Sequence, residues 1–472
     1  MSFKCCCAPL ESAVMKFRSL ASAVTVTALL PVALVAHAPQ AVAAPCTPYS
    51  KSGSFTSKPS ASAPAGGSSL GGLSALLSGS SKPSQPERAT SGQRSNYNQR
   101  QITGGPTQIM QLITGAGSPN RTDLDFGVSG TDLGIAYADG AGHSYYVFGD
   151  TMDCVGEGDG WRSNVLLRTT DEDYGDGLRL DDALTARGWS AAGYAKEFIP
   201  SQKVGDADIN GERTTIPTAG IVVDGVHYID YMSVRSWHDP KTGWSTNYAA
   251  TVASTDGGVS WTPVPEATRT NASHGANAPI PGGANYRPGF EKLQQSAYIE
   301  HGDYIYRFTT GQGRRGPAYL SRALKSQFPN ENAFAYYADG AWIDDPSQAS
   351  VVLDGKVSEL SVAYNDYLGK FVTMYGVEGE GIVMRTAPSP EGPWSPRRKL
   401  VDAETAKVIS GEPLNDTYAP YVLPHQDDQH LYYTLTSWRD YNTMLMRTDL
   451  DFVGEDMENN DHIAVSDVVA TR

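Results

Sequence analysis

The sequence predicts an all-β protein, a five-bladed β-propeller over residues 106–472. Three observations lead there. A unit of strand, turn, strand, variable insert and third strand recurs five times. Period-two alternation is frequent in this region and helical periodicity scarce. Ser254-Thr255-Asp256-Gly257-Gly258-Val259-Ser260-Trp261 matches the Asp-box turn of propeller blades, Ser-x-Asp-x-Gly-x-Ser/Thr-Trp. A single large β-sandwich competes, but it does not explain a recurring unit.

Two segments precede the folded region. Residues 1–43 read as a signal peptide. Lys16 and Arg18 stand before an apolar run from Leu20 to Val35, and Ala41-Val42-Ala43 offers a small-residue cleavage site. Met15 lies at the usual distance from the basic pair and is an alternative start. The apolar run contains Pro31 and is too short for a stable membrane span, and no later stretch is long enough. Residues 44–105 are rich in Ser, Pro and Gly and read as a disordered tether. A secreted or wall-associated protein is therefore expected. Cys46 and Cys154 remain after cleavage. An exported chain can pair them, although Cys46 sits in the tether.

The units follow in order. The first has Leu133–Ala138, Tyr145–Gly149 and Asn164–Arg168. The second has Gly220–Val223, a turn at Asp224-Gly225, Val226–Met232 and Tyr248–Ser254. The third has Ser296–Glu300, a turn at His301-Gly302, Tyr304–Thr309 and Ala318–Arg322. Leu360–Tyr364, Lys370–Tyr375 and Gly381–Arg385 make the fourth, and Tyr418–Leu423, His430–Ser437 and Thr443–Arg447 the fifth. Unit starts are about 60–90 residues apart, longer than a blade of about 40–50, so loops should take up the excess. The Asp box is a structural turn: its Asp caps a hairpin, its Gly takes the left-handed position and its Trp packs into the blade.

In a propeller the inner strand begins, and the second strand ends, at one face. Asp132 and Asp150 hold those two places in the first unit. Folding the hairpin about Ala141 pairs Leu133 with Gly149, Ile135 with Val147 and Tyr137 with Tyr145, and sets Asp132 opposite Asp150. Paired carboxylates repel, so one should keep its proton near neutral pH. A proton donor beside a charged carboxylate suffices to cleave a glycosidic bond. Directly paired positions favour the roughly 5–5.5 Å carboxyl spacing of retaining enzymes over the roughly 6.5–9.5 Å of inverting ones. The expected assignment makes Asp132 the nucleophile and Asp150 the protonated partner.

Glu359 and Asp416 occupy the inner-strand position in the fourth and fifth units. Aromatic and planar polar residues recur after the second strands: Trp161, Arg162 and Asn164; Arg235 and Trp237; Arg314; Trp438 and Tyr441. Sugars are bound by stacking on aromatic faces and by side chains that bridge adjacent hydroxyls. All these residues are therefore expected substrate ligands, with about half of the tryptophans packing between blades instead. Histidines lack metal-ligand spacing, and neither a Gly-x-Ser-x-Gly elbow nor a P-loop occurs, so no metal or cofactor is expected. The formal charge of −15, about −17 once Lys4, Lys16, Arg18 and Glu11 leave with the leader, disfavours nucleic acid and anionic lipid. A neutral polysaccharide partner and a monomeric state are expected.

An ordered set of motifs carries a resemblance. It runs Gly-Thr-Asp-Leu-Gly at 130–134, Phe-Gly-Asp-Thr at 148–151, Trp-Arg-Ser at 161–163, the Asp box and Ser-Glu-Leu-Ser-Val with Asn365 at 358–365. Arg-Thr-Ala…Gly-Pro-Trp-Ser at 385–395 and Ser-Trp…Tyr-Asn at 437–442 complete it. The set resembles a family of exported actinobacterial proteins, long called a domain of unknown function and now grouped as endo-D-arabinanases, glycoside hydrolase family 183. The resemblance covers the chain from about residue 106 onward. It implies a five-bladed propeller that cuts internal α-D-arabinofuranosyl linkages in arabinogalactan or lipoarabinomannan. It also implies that the family's two essential acids are Asp132 and Asp150. The alternatives are a non-catalytic wall-binding propeller and a furanosidase acting on L-arabinan or fructan. A sialidase would fit the Asp box, but the negative charge and the lack of a clear arginine cluster oppose it.

Overall fold

The computed structural model describes residues 100–101, 107–153, 160–205, 207–401, 417–426, 429–438 and 441–453. The signal peptide, nearly all of the tether, Cys46, Cys154 and Asp416 lie outside them.

Short strands separated by Gly- and Asp-bearing turns pair with their sequence neighbours into five antiparallel sheets. Blade 1 comprises Gly130–Ala138, Ser144–Met152, Val165–Thr169, Asp182–Thr185 and Gly188–Ser190. Blade 2 comprises Thr214–Val223, Val226–Asp239, Gly243–Ser254 and Thr262–Thr270. Blade 3 begins with Gln295–His301, Tyr304–Thr310 and Gly316–Leu324. The last of these pairs with both Val351–Val357 and the hairpin Ala335–Ala338/Ala341–Ile343. Blade 4 is Leu360–Asn365, Lys370–Val377, Gly381–Ala387 and Arg398–Val401. In blade 5, Thr417–Val422, His430–Ser437 and Asn442–Asp449 are completed by Thr107–Leu112 from the other end of the chain. That pairing closes the ring. Arg100–Gln101, which the sequence assigns to the tether, adds two residues at its edge.

The inner strands touch one another in blade order, and the fifth returns to the first. Apolar burial follows the same count, with one buried cluster at each blade interface. Leu133, Val147, Ile229 and Val252 join blades 1 and 2. Ile305, Phe328 and Tyr336 pack with Val223 between blades 2 and 3. Phe308 and Leu353 meet Leu360 and Tyr375 between 3 and 4. Met374 and Met384 meet Leu435 and Met446 between 4 and 5, and Tyr432 and Leu445 meet Phe148 and Leu167 between 5 and 1. Each blade thus buries both faces, and the chain is a five-bladed β-propeller. The single α-helix among the described residues, Thr122–Asp125, has four residues, and no helix there is long and apolar enough to cross a membrane.

Two devices lock the wheel. In the Asp box, Asp256 Oδ1 accepts the Val259 and Ser260 N–H groups at 3.1 and 2.9 Å, and Ser260 Oγ donates to Oδ2 at 2.6 Å. These donors hold the Asp256 carboxyl down at about 2. Gly257 and Gly258 take φ of 69° and 82°, a region that favours glycine. Trp189 of blade 1 donates its Nε1–H to Gly257 O at 2.9 Å, tying the turn to its neighbour. The second device is a buried chain of charges between blades 2 and 3. Arg269 Nη2 donates to Asp230 Oδ2 at 2.5 Å, and Arg307 grips Glu331 with two bonds of 2.7 and 2.8 Å. Arg269 Nη1 reaches Glu331 at 3.7 Å, so the four groups form one network. All four are buried. Burial alone would raise the Glu331 carboxyl, but Arg307 and Arg269 hold it below its ordinary value.

Candidate active site

The inner strand of blade 1 departs from regular pairing where the acids stand. Ile135 pairs with Val147 and Tyr137 with Tyr145, as the sequence predicts, but Leu133 pairs with Phe148 rather than Gly149. Register shifts flank Leu133 on both sides, so Asp132 has no direct cross-strand partner and faces the Gly149-Asp150 step. The cause is a bulge. Leu133 and Gly134 both take left-handed φ, 68° and 98°, which inserts one residue and re-aims its neighbour. Leu133 is held there by blade 5, whose Thr436 and Thr443 hydroxyls donate to Leu133 O at 3.2 and 3.4 Å. Thr434 does the same for Gly134 O at 3.0 Å. The expected direct opposition of Asp132 and Asp150 is thus corrected, and with it the argument for retention.

The bulge lays the Asp132 carboxyl across Gly149. A Cβ at residue 149 would stand 2.3 Å from Asp132 Oδ1, so any larger residue there would displace that carboxyl. Asp132 is 8% exposed. Tyr418 OH donates to its Oδ2 at 2.9 Å, and Oδ1 has no hydrogen-bond partner in the protein. Burial first, and then the charge of Asp150, push the Asp132 carboxyl up to about 8. Asp150 is partly buried and better solvated by the protein. Its Oδ1 accepts from Trp161 Nε1 and Thr214 Oγ1, both at 2.8 Å. Burial raises it to about 6 against those two donors, with Arg213 and Lys203 adding positive charge. The expected order of protonation is therefore reversed. Asp132 keeps its proton at neutral pH, and Asp150 is the group that ionises.

Asp132 stands in a pocket with Glu359, Arg314, Trp237, Trp244, Tyr418 and Trp438. Arg314 Nε is 3.1 Å from each Glu359 oxygen, and its Nη2 donates to Oε1 at 2.5 Å. Although burial acts to raise it, Glu359 is held below its ordinary value by that guanidinium. The guanidinium lies 4.8, 5.0 and 5.3 Å from the ring centres of Trp244, Tyr418 and Trp438. Trp438 stacks on Tyr418 at 4.4 Å and 19°. The loop carrying Arg314 comes close because Gly313, at φ 79°, has no side chain: a Cβ there would meet Thr242 O at 1.9 Å.

Of the remaining expected ligands, Trp161 serves as donor and shield to Asp150, with Lys203 Nζ 5.1 Å above its ring. Arg162 is turned away from the funnel. It is buried and engages the carbonyls of Gly127 and Ala195, with its guanidinium 4.2 Å over Tyr194. Asn164 is fully buried, with its amide engaged by Ile199, Phe198 and Thr215. Both are structural, corrected from substrate ligands because their donors already serve the backbone. Arg235 bonds Ser245 Oγ at 3.3 Å and does not line the pocket. Tyr441 is buried, does not line the pocket, and accepts the Thr131 N–H on its carbonyl at 2.7 Å. Sequence reasoning passed over Tyr418, Thr214 and Trp244. Tyr418 had a readable signal, since it follows Asp416-Thr417 at the inner-strand start that matches Asp132.

A family model described as "Domain of unknown function (DUF4185)" matches residues 117–447. The chain is similar to notoamide biosynthesis cluster protein J of Aspergillus sp., at 26% identity over 71% of this chain and 86% of the relative. Among solved structures, its backbone is similar to that of a Bacteroides ovatus protein at 13% identity, with a TM-score of 0.48 over 76% of this chain and 94% of that one. It is also similar to the catalytic domain of the Coprinopsis cinerea GH62 alpha-L-arabinofuranosidase. There the identity is 13% and the TM-score 0.37, over 69% of this chain and 92% of that one.

Proposed function

For a chain that belongs to the DUF4185 family, and so to a domain of unknown function, we propose an exported glycoside hydrolase. It acts within chains on α-D-arabinofuranosyl linkages of cell-wall arabinan. One observation carries the hydrolase reading: a buried carboxyl held protonated, about 8, stands in an aromatic pocket and feels the charge of a second carboxyl that ionises at about 6. Pairs whose environments push their affinities for protons apart mark an acid and a base. In this reading Asp132 gives its proton to the leaving glycosidic oxygen. Tyr418 donates to Oδ2, and Oδ1, which lies against Gly149 without a protein partner, is left to carry the proton. Asp150, oriented by Trp161 and Thr214, acts as the carboxylate on the attacking side. The Arg314–Glu359 pair brings no net charge into the funnel, which suits a neutral substrate. The choice of D-arabinan rests on the ordered motifs from Gly130 to Asn442.

The test incubates the mature protein with mycobacterial arabinogalactan, L-arabinan and levan, and sizes the products. A ladder of short oligosaccharides from arabinogalactan alone is expected. Monosaccharide release alone would refute endo action, cleavage confined to L-arabinan or levan would refute the sugar assignment, and binding without cleavage would leave a wall-binding propeller.

A further inference from the structure

Buried polar side-chain atoms in folded proteins nearly always have a hydrogen-bond partner, so those that lack one call for an explanation. Four such atoms belong to residues that line the pocket: Asp132 Oδ1, Thr218 Oγ1, Ser296 Oγ and Trp244 Nε1. Thr218, Ser296 and Trp244 are 5%, 3% and 3% exposed, so bulk water does not serve them. They come from different strands: Thr218 from the inner strand of blade 2, Ser296 from that of blade 3 and Trp244 from the third strand of blade 2. Two of them sit at irregularities. The register of blade 2 shifts between Pro217 and Ala219, and again between Gly243 and Ser245, so Thr218 and Trp244 are each the residue left without a ladder partner. A bulge there turns a side chain that regular pairing would place differently.

We propose that Thr218, Ser296 and Trp244 recognise adjacent hydroxyls of the neutral sugar unit held against Asp132, and so decide which sugar the funnel accepts. The inference rests on the glycosidase reading for the identity of that sugar. Its chemistry follows from the donor set. Serine and threonine hydroxyls each donate and accept, whereas the indole N–H only donates. A sugar hydroxyl answers both kinds. An anion would find no free cation here, because Arg314 is engaged by Glu359. Two other pocket hydroxyls are already engaged: Thr310 Oγ1 accepts from Gln295 Nε2 at 3.1 Å, and Tyr418 OH donates to Asp132. Ile216, Pro217, Met232 and Leu360 make the remaining wall apolar, which suits the C–H face of a sugar.

The test separates recognition from packing. Asp150→Asn protein is titrated calorimetrically with short fragments of D-arabinan, L-arabinan and levan, alone and combined with Thr218→Val or Ser296→Ala. The first exchanges the hydroxyl for a methyl of similar size, and the second removes the hydroxyl alone. Affinity for the sugar that binds is expected to fall about three- to tenfold with each, as for a lost hydrogen bond. The melting temperature should hold or rise, because each replacement removes a buried group without a protein partner. Unchanged affinity, a melting temperature that falls with the affinity, or no binding of any of the three sugars would overturn the inference. A sugar that binds with this dependence but is not cleaved by the wild-type protein would overturn the hydrolase reading and leave recognition standing.

Discussion

At the scale of single residues, two carboxyls differ by their surroundings. Asp132→Asn and Asp150→Asn are each expected to remove at least about nine-tenths of activity while the fold persists, since acid–base catalysis contributes roughly 10²–10⁴-fold. Circular dichroism and product sizing check this, and either variant above a tenth of the wild-type rate would exclude that residue. The pH profile has a definite sign. Activity should rise through about 6 as Asp150 ionises and fall beyond about 8 as Asp132 does. Stability responds as well. In the unfolded chain Asp132 ionises near its ordinary value, roughly 4, whereas in the folded protein it holds its proton to about 8. Between those values the folded state carries a proton that the unfolded state has lost, so this group's contribution falls as pH rises. The inactive Asp132→Asn variant should therefore resist urea better than wild type at pH 9, with the difference shrinking toward pH 4. Equal midpoints at both values would show that the carboxyl is not strained by burial. The sequence showed which two acids to examine. It did not show how their surroundings differ, because these depend on Tyr418, 286 residues away, and on the Leu133 bulge.

At the scale of elements, bulged strands and regular strands divide the labour. Inner strands of blades 1, 2 and 5 carry register shifts beside Asp132, Thr218 and Tyr418. Those of blades 3 and 4 pair without interruption. Alternation in the sequence marks the regular strands well, and for that reason it misplaced Asp132: a bulge leaves no mark in a period-two pattern except a glycine such as Gly134. The charge network between blades 2 and 3 was equally silent, since Asp230, Arg269, Arg307 and Glu331 lie far apart in sequence and on strands of different blades or on a turn. Removing one partner of a buried pair leaves the other uncompensated, at about 3–5 kcal/mol. Glu331→Gln should therefore lower the urea midpoint clearly. Glu378→Gln, which breaks the exposed pair with Arg315, should not move it resolvably. Similar midpoints for the two variants would show that the buried network does not hold the blades together.

At the scale of the whole molecule, the five-unit reading of the sequence agrees with the wheel, because each unit is a local meander and local pairing is what sequence pattern reports best. The long-range element was the closing strand. Thr107–Leu112 pairs with Asn442–Asp449, and its Thr107 hydroxyl meets that of Thr448, 341 residues on. Deleting residues 44–98 is expected to leave the melting temperature and activity unchanged, as low-complexity polar sequence buries nothing. Extending the deletion to residue 112 strips the outer strand from blade 5 and with it Ile109 and Met110 from two interface clusters. Loss of cooperative unfolding is the expected result, and an intact transition would mean that the ring closes without this strand.

That closure also governs when the protein comes to life. The groups that shape Asp132, namely Tyr418 and the Thr434, Thr436 and Thr443 hydroxyls around Leu133 and Gly134, follow the atoms they touch by 286, 300, 303 and 310 residues. Contacts of such separation form late, after local hairpins. A nascent chain that has already produced both aspartates therefore lacks the surroundings that distinguish them, and the two acids come to differ only once blade 5 has met blade 1. Premature termination anywhere before blade 5 would leave fragments that carry both acids without the groups that set them apart.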